Sequence, residues 1–259
     1  METAFLGTPD TSVWLFAGLV FAAFATAYFS IVAGTAGGLM LLVVMASFYP
    51  PSILIPMHTL VQLGLGVSRA VAMWRWVMKD TILPFTLGCL AGAVVGAKLF
   101  VSLPTGLLMG VLGVFILLVT WAPQLVQVGS ARNRFAGLGF GVTVLGVFVS
   151  ATGTIVGPVV AASSPDRRNH VATMSTLMVI THAAKMLAFA WVGFALSAYV
   201  PLIVAMIAGG MVGNSWGERT LNRMREDWFR LTFKIVMTLL AVRLLWTGME
   251  EFGWISFWS

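Results

Sequence analysis

From residue 11 to residue 68 the chain carries no Asp, Glu, Lys or Arg. Apolar runs of this length exceed the roughly 20 residues that a helix needs to cross a hydrocarbon core. Their hydrophobicity is continuous and does not alternate, which favours helices over a barrel. Across all 259 residues, 59% are hydrophobic and only 9% are charged, with a mean hydropathy of +0.96. No water-exposed globular surface tolerates that balance. The expected class is therefore all-α: a polytopic transmembrane helix bundle lying in the lipid bilayer.

Residues 1 to 12 include Glu2 and Asp10 but no Lys or Arg. A removable leader needs a basic start, so the first hydrophobic stretch is expected to be retained. Cys89 is the single cysteine, which excludes an intrachain disulfide and reads as packing. The net charge of +6 stands mostly at segment ends beside Trp. Topology accounts for it, and nucleic acid is not an expected partner.

Hydrophobic segments fall near residues 13–48, 53–76, 82–101, 105–122, 134–163, 170–195, 199–217 and 229–248. Pro50-Pro51, Pro104, Pro123 and the polar run from Ser163 to His170 punctuate them. A shift of 117 residues lays Thr59-Leu60 on Thr176-Leu177, Trp74 on Trp191, Pro84 on Pro201, and AGAVVG (91–96) on AGGMVG (208–213). This divides a single membrane domain into two repeats, residues 1–122 and 134–259. A two-residue indel brings Gly34-Thr35 and Gly38 onto Gly153-Thr154 and Gly157, so each repeat opens on a glycine-broken segment.

Basic residues cluster at Arg75 and Lys79, at Arg132 and Arg134, at Arg167 and Arg168, and at Arg219, Arg223, Arg225 and Arg230. Short cytoplasmic loops accumulate such residues. Eight simple crossings would place the first two clusters opposite the last two. A fifth segment that turns back within the membrane puts all four on one side. Segment one turning back by analogy leaves three crossings per half, with the halves related by inversion. A bundle of eight crossings with two bent helices is the alternative.

A broken helix exposes backbone N–H and C=O groups, which a membrane tolerates only beside protein or a watery cavity. The N-terminal end of a half-helix attracts anions. Half-helices are expected to begin near Gly37-Gly38 and near Gly157-Pro158, with Thr35, Thr152 and Thr154 adding hydroxyl donors. Close helix packing is the plainer role for these glycines. His58, Gln62 and Arg69 share one face of segment two, and Ser175, His182 and Lys185 share one face of segment six. Ionisable residues at membrane depth are usually functional, though Arg69 and Lys185 are also placed to snorkel and His58 to bond near its helix start. Lys98 and Arg243 read as lipid anchors. All the acidic residues fall in loops, tails or segment ends, so the interior is positively lined and suits an anion. The series Gly88, Gly92, Gly96 and Gly209, Gly213, Gly217 suits packing within the monomer or a homodimer contact. Trp246, Trp254 and Trp258 read as interfacial anchors.

AGTAGGLMLLVVMASFYPP in the first half and SATGTIVGPVVAA in the second, each followed by a helix and an AGxxVG segment, resemble the sulfite exporter TauE/SafE family, the TSUP permeases. The resemblance spans most of the chain. It implies a multi-pass transporter of the bacterial inner membrane. Some family members export sulfite or sulfoacetate-like products of sulfonate catabolism, and others take up sulfur-containing anions. The family's glycine-rich signature maps to Gly34, Gly37 and Gly38, and to Gly153 and Gly157, with a second motif that is richer in Thr than usual. The expected activity is alternating-access transport of a small sulfur-containing anion, without a cofactor. Coupling to H⁺ or Na⁺ is not legible. A passive anion channel and an intramembrane hydrolase built on Ser175 and His182 are the rival readings, although neither break offers a serine nucleophile.

Overall fold

The computed structural model describes residues 4–33, 37–121, 135–149, 152–191, 193, 196–220, 235, 238–239, 241–242 and 245–250. Among them there is no β-strand. The helices are α1 (Val13–Ala33), α2 (Gly37–Ala46), α3 (Pro51–Ala72), α4 (Ile82–Ser102), α5 (Thr105–Trp121), α6 (Phe135–Val149), α7 (Gly153–Ser163), α8 (Arg167–Trp191) and α9 (Val200–Thr220). Four stretches are apolar and long enough to cross a membrane: Val13–Ser30, Lys79–Phe100, Arg168–Trp191 and Ser197–Gly217. Large apolar side chains such as Trp14, Phe21, Leu83, Leu187 and Val204 are exposed along them, as a lipid-facing surface requires.

Local sequence explains the ends. Pro51 occupies the first turn of α3, where a missing N–H costs nothing. The α8 start is capped by Asp166, whose carboxylate accepts from the N–H of Arg168 at 2.7 Å and of Asn169 at 2.9 Å. The first and fifth hydrophobic segments are each two helices, α1 with α2 and α6 with α7. The second half-helix begins at Gly153, not at Gly157-Pro158 as the sequence suggested. Pro158 is its sixth residue, past the first turn, so its missing N–H forgoes one i→i−4 bond. The 229–248 segment lies mostly outside the described residues.

Contacts between helices set their directions. On α4, a Cβ at Gly88 would strike Ala136, one at Gly92 would strike Phe140, and one at Gly96 would press on Val144 and Val147, all on α6. The two helices therefore run parallel, backbone against backbone. On α9, Gly209 and Gly213 meet Val20 and Phe24 of α1 in the same way. The glycine series thus serves packing inside one chain. Tyr49 meets Tyr199 at 6.0 Å and Gly64 meets Ile207, so α3 runs parallel to α9. Cys89 meets Thr181 at 3.8 Å and Phe100 meets Phe189 at 5.7 Å, so α4 runs parallel to α8. The α3 and α8 helices are antiparallel: Gly66 faces Val179, while past the end of α3 the Met78 N–H donates to Thr173 at 3.0 Å.

The short helices double back. Gly37 packs on Thr26 and Ser30, late in α1. Beyond the other end of α2, the Tyr49 hydroxyl meets Thr11, just before α1, at 2.6 Å. Likewise Gly153 packs near Met174 and Met178, and α7 ends at Ser163, beside the start of α8. With 10 and 11 residues, α2 and α7 reach about 15 Å, half of a hydrocarbon core.

Most of the basic residues that the structure describes at helix ends gather at one end of the bundle. Arg75 and Arg168 both stack on Trp76, at 5.3 and 5.0 Å. Arg219 closes α9, which runs parallel to α3. At the other end Lys98 lies over the Trp191 ring at 5.9 Å. Arg132, Arg134, Arg223, Arg225, Arg230, Arg243, Trp254 and Trp258 lie outside the described residues.

Candidate functional site

The first turns of α2 and α7 meet at one cavity of about 190 Å³, bordered by Gly37 and Gly38 on one side and by Thr152 and Gly153 on the other. The N–H groups of a first turn have no partner within their own helix. In α7 the Thr152 carbonyl already takes the N–H groups of Ile155 and Val156. Thr152 stands at the N-cap position, yet its hydroxyl does not cap the helix. That Oγ1 is fully buried without a hydrogen-bond partner, on a residue that lines the cavity.

α3 and α8 supply the facing side chains. His58, Gln62 and Arg69 line the cavity from α3, and Ser175 and His182 from α8. His58 Nε2 lies 2.8 Å from the Gly38 carbonyl and 3.1 Å from the Gln62 amide, which ties α3 to the start of α2. His182 is 6% exposed, and its Nδ1 has no hydrogen-bond partner. Two residues of the same cavity wall, Thr152 and His182, therefore each carry a buried polar atom without a partner. Such atoms are rare in a finished core and common where a ligand completes them.

Lys185 is placed differently from the expectation. It is fully buried but is not part of the cavity wall. Its Nζ donates to the Gly146 carbonyl at 3.1 Å, among the last four carbonyls of α6, which lack intrahelical partners. The ammonium thus supports the helix end immediately before the second break. Gly157 lies within α7, away from the wall. Gly34 and Thr35 lie outside the described residues, as does the side chain of Thr154.

Sequence reasoning missed Thr26, Ser30 and Asn214 on the wall, along with Met174 and Met178. Thr26 and Ser30 are one turn apart on α1, a spacing that was visible. Asn214, the one amide side chain in glycine-rich α9, was a second signal.

No carboxylate lines the cavity among the described residues; Asp10, Asp80 and Asp166 are exposed. The described residues also hold no cluster suited to a metal ion. A wall with Arg69, two first turns and unsatisfied polar atoms suits an anion. No hydrogen bond links Ser175 to His182 among the described contacts, and two helical turns separate them. Residues 19–244 match the family model described as "Sulfite exporter TauE/SafE". Comparison with curated proteins and with solved structures returned no match.

Proposed function

The chain belongs to the sulfite exporter TauE/SafE family, and from that premise we propose a secondary transporter that moves a small sulfur-containing oxyanion or organosulfonate by alternating access. One observation carries the reading: two half-helix N-termini, arriving from opposite ends of the bundle, share a cavity lined by Thr152 and His182, each with a buried polar atom that lacks a partner, and by no carboxylate among the described residues. The N–H groups and Thr152 bind the oxyanion, His182 donates from its ring, and Arg69 balances the charge.

Helix pairing supports two inverted repeats within residues 1–122 and 134–259. The 117-residue shift carries α1 to α6, α3 to α8 and α4 to α9. The parallel pair α1 and α9 then corresponds to the parallel pair α6 and α4, while antiparallel α3 and α8 exchange with each other. That exchange is the signature of inversion. α2 and α7 are the re-entrant arms. The basic end faces the cytoplasm of a bacterial inner membrane.

Proteoliposomes offered labelled sulfite, sulfoacetate and taurine test this. Saturable flux of at least one is expected. Carriage of a cation with none of the three rejects it. A passive anion channel shares the same site; flux that neither saturates nor shows counterflow would favour it.

A further inference from the structure

The cavity wall is only half symmetric. When the halves are overlaid by 117 residues, His58 pairs with Ser175, Gln62 with Val179 and Leu65 with His182, and all six line the cavity. These residues sit where α3 and α8 face each other. Thr26, Ser30, Arg69 and Asn214 also line it. Their counterparts Thr143, Val147, Met186 and Ala97 do not, and three of these, Thr143, Val147 and Ala97, are 0% exposed.

These four unmatched polar residues lie toward one end, whereas Leu39 and Leu41 of α2 line the cavity on the other side. Arg69 is close to Arg75 along the end of α3, and Asn214 close to Arg219 along α9. The opposite end is shut. Tyr49 bonds to Thr11 and meets Tyr199 edge-on, and Phe100 packs against Phe148 at 6.1 Å and Phe189 at 5.7 Å. None of those residues reaches the cavity.

We infer that this conformation opens toward the basic end, and that Thr143, Val147, Met186 and Ala97 line a second half of the permeation path that opens toward the opposite end. The inference rests on the alternating-access reading. In an inverted pair, each half can adopt the arrangement of the other, so α4 and α6 come to frame the path as α9 and α1 do here. Thr143 gives independent support. Its hydroxyl is buried beside the Cys89 thiol without a well-formed hydrogen bond. A hydroxyl whose neighbour in a dry core is a thiol is only weakly satisfied, and water or anion on the opposite-facing path would bond it better.

The test uses the full chain in proteoliposomes with Cys89→Ala, adding Ser30→Cys or Val147→Cys, and a membrane-impermeant thiosulfonate supplied to either side. The cysteine at 30 is expected to react only from the basic side. The cysteine at 147 is expected to react only from the other side, about tenfold or more slowly, since minor states are populated at roughly 10% or less. Saturating sulfoacetate should move the two rates in opposite directions. Anion flux by each variant reports folding, and Ala97→Cys replaces Val147→Cys should that variant be inactive. If 147 or 97 is unreactive, or reacts from the basic side, while flux persists, the inference fails and the transport reading stands. If both sites react together, whatever the anion, the path is a continuous pore and both readings fall.

Discussion

Thr152 occupies the position where a threonine ordinarily caps its own helix, yet its hydroxyl is withheld from α7 and buried without a partner. Thr152→Val keeps the shape and removes the oxygen. A hydrogen bond to a charged group contributes about 1.5–3 kcal/mol, so the KM for the anion should rise roughly ten- to a hundredfold, with Thr152→Ser restoring most of it. Arg69 and Lys185 separate in a second prediction. Arg69 lines the cavity, so Arg69→Gln should raise KM well beyond any rise in Lys185→Met. Lys185 holds the end of α6, so Lys185→Met should lower the Tm of the substrate-free protein. An equal rise in KM in both variants would refute the distinction.

At the scale of elements, α4 against α6 and α1 against α9 are held by contact of backbones, which only glycine permits at these crossings. Gly92→Leu would drive a side chain into the Phe140 backbone. Overpacking of this kind costs about 1–3 kcal/mol or more, and the purified variant should melt earlier or fail to accumulate. Gly18→Ala, where an added Cβ meets nothing within 4 Å, is the control and should not lower the Tm. Asp166→Ala removes the cap of α8 and should cost about 1 kcal/mol, read as a small drop in Tm without a change in substrate preference.

Among the described residues, most of the positive charge stands at one end, with Lys98 at the other, and no carboxylate lines the cavity. An anion that binds the folded state alone must stabilise it. At 100 times its Kd, sulfite or sulfoacetate should add about 2.7 kcal/mol and raise Tm by several degrees. Choline chloride at the same ionic strength should not. Stabilisation by the cation instead would contradict an anion site.

Apolar runs and sparse charge by themselves determined that this chain is a helical membrane protein, because lipid leaves a backbone few other ways to satisfy its hydrogen bonds. The glycine breaks were legible too, since glycine is among the residues a helix interior tolerates least. So was one face each of α3 and α8, through the 3.6-residue period. Tertiary structure decided the rest. That α7 starts at Gly153 depends on packing against α8, which outweighs the local preference of Pro158 for a first turn. That Thr26, Ser30 and Asn214 reach the cavity, while Lys185 stands behind it, depends on how helices distant in sequence are rotated against one another. Local sequence carries the period of a helix but not the direction of its face, and only contacts between distant segments supply that.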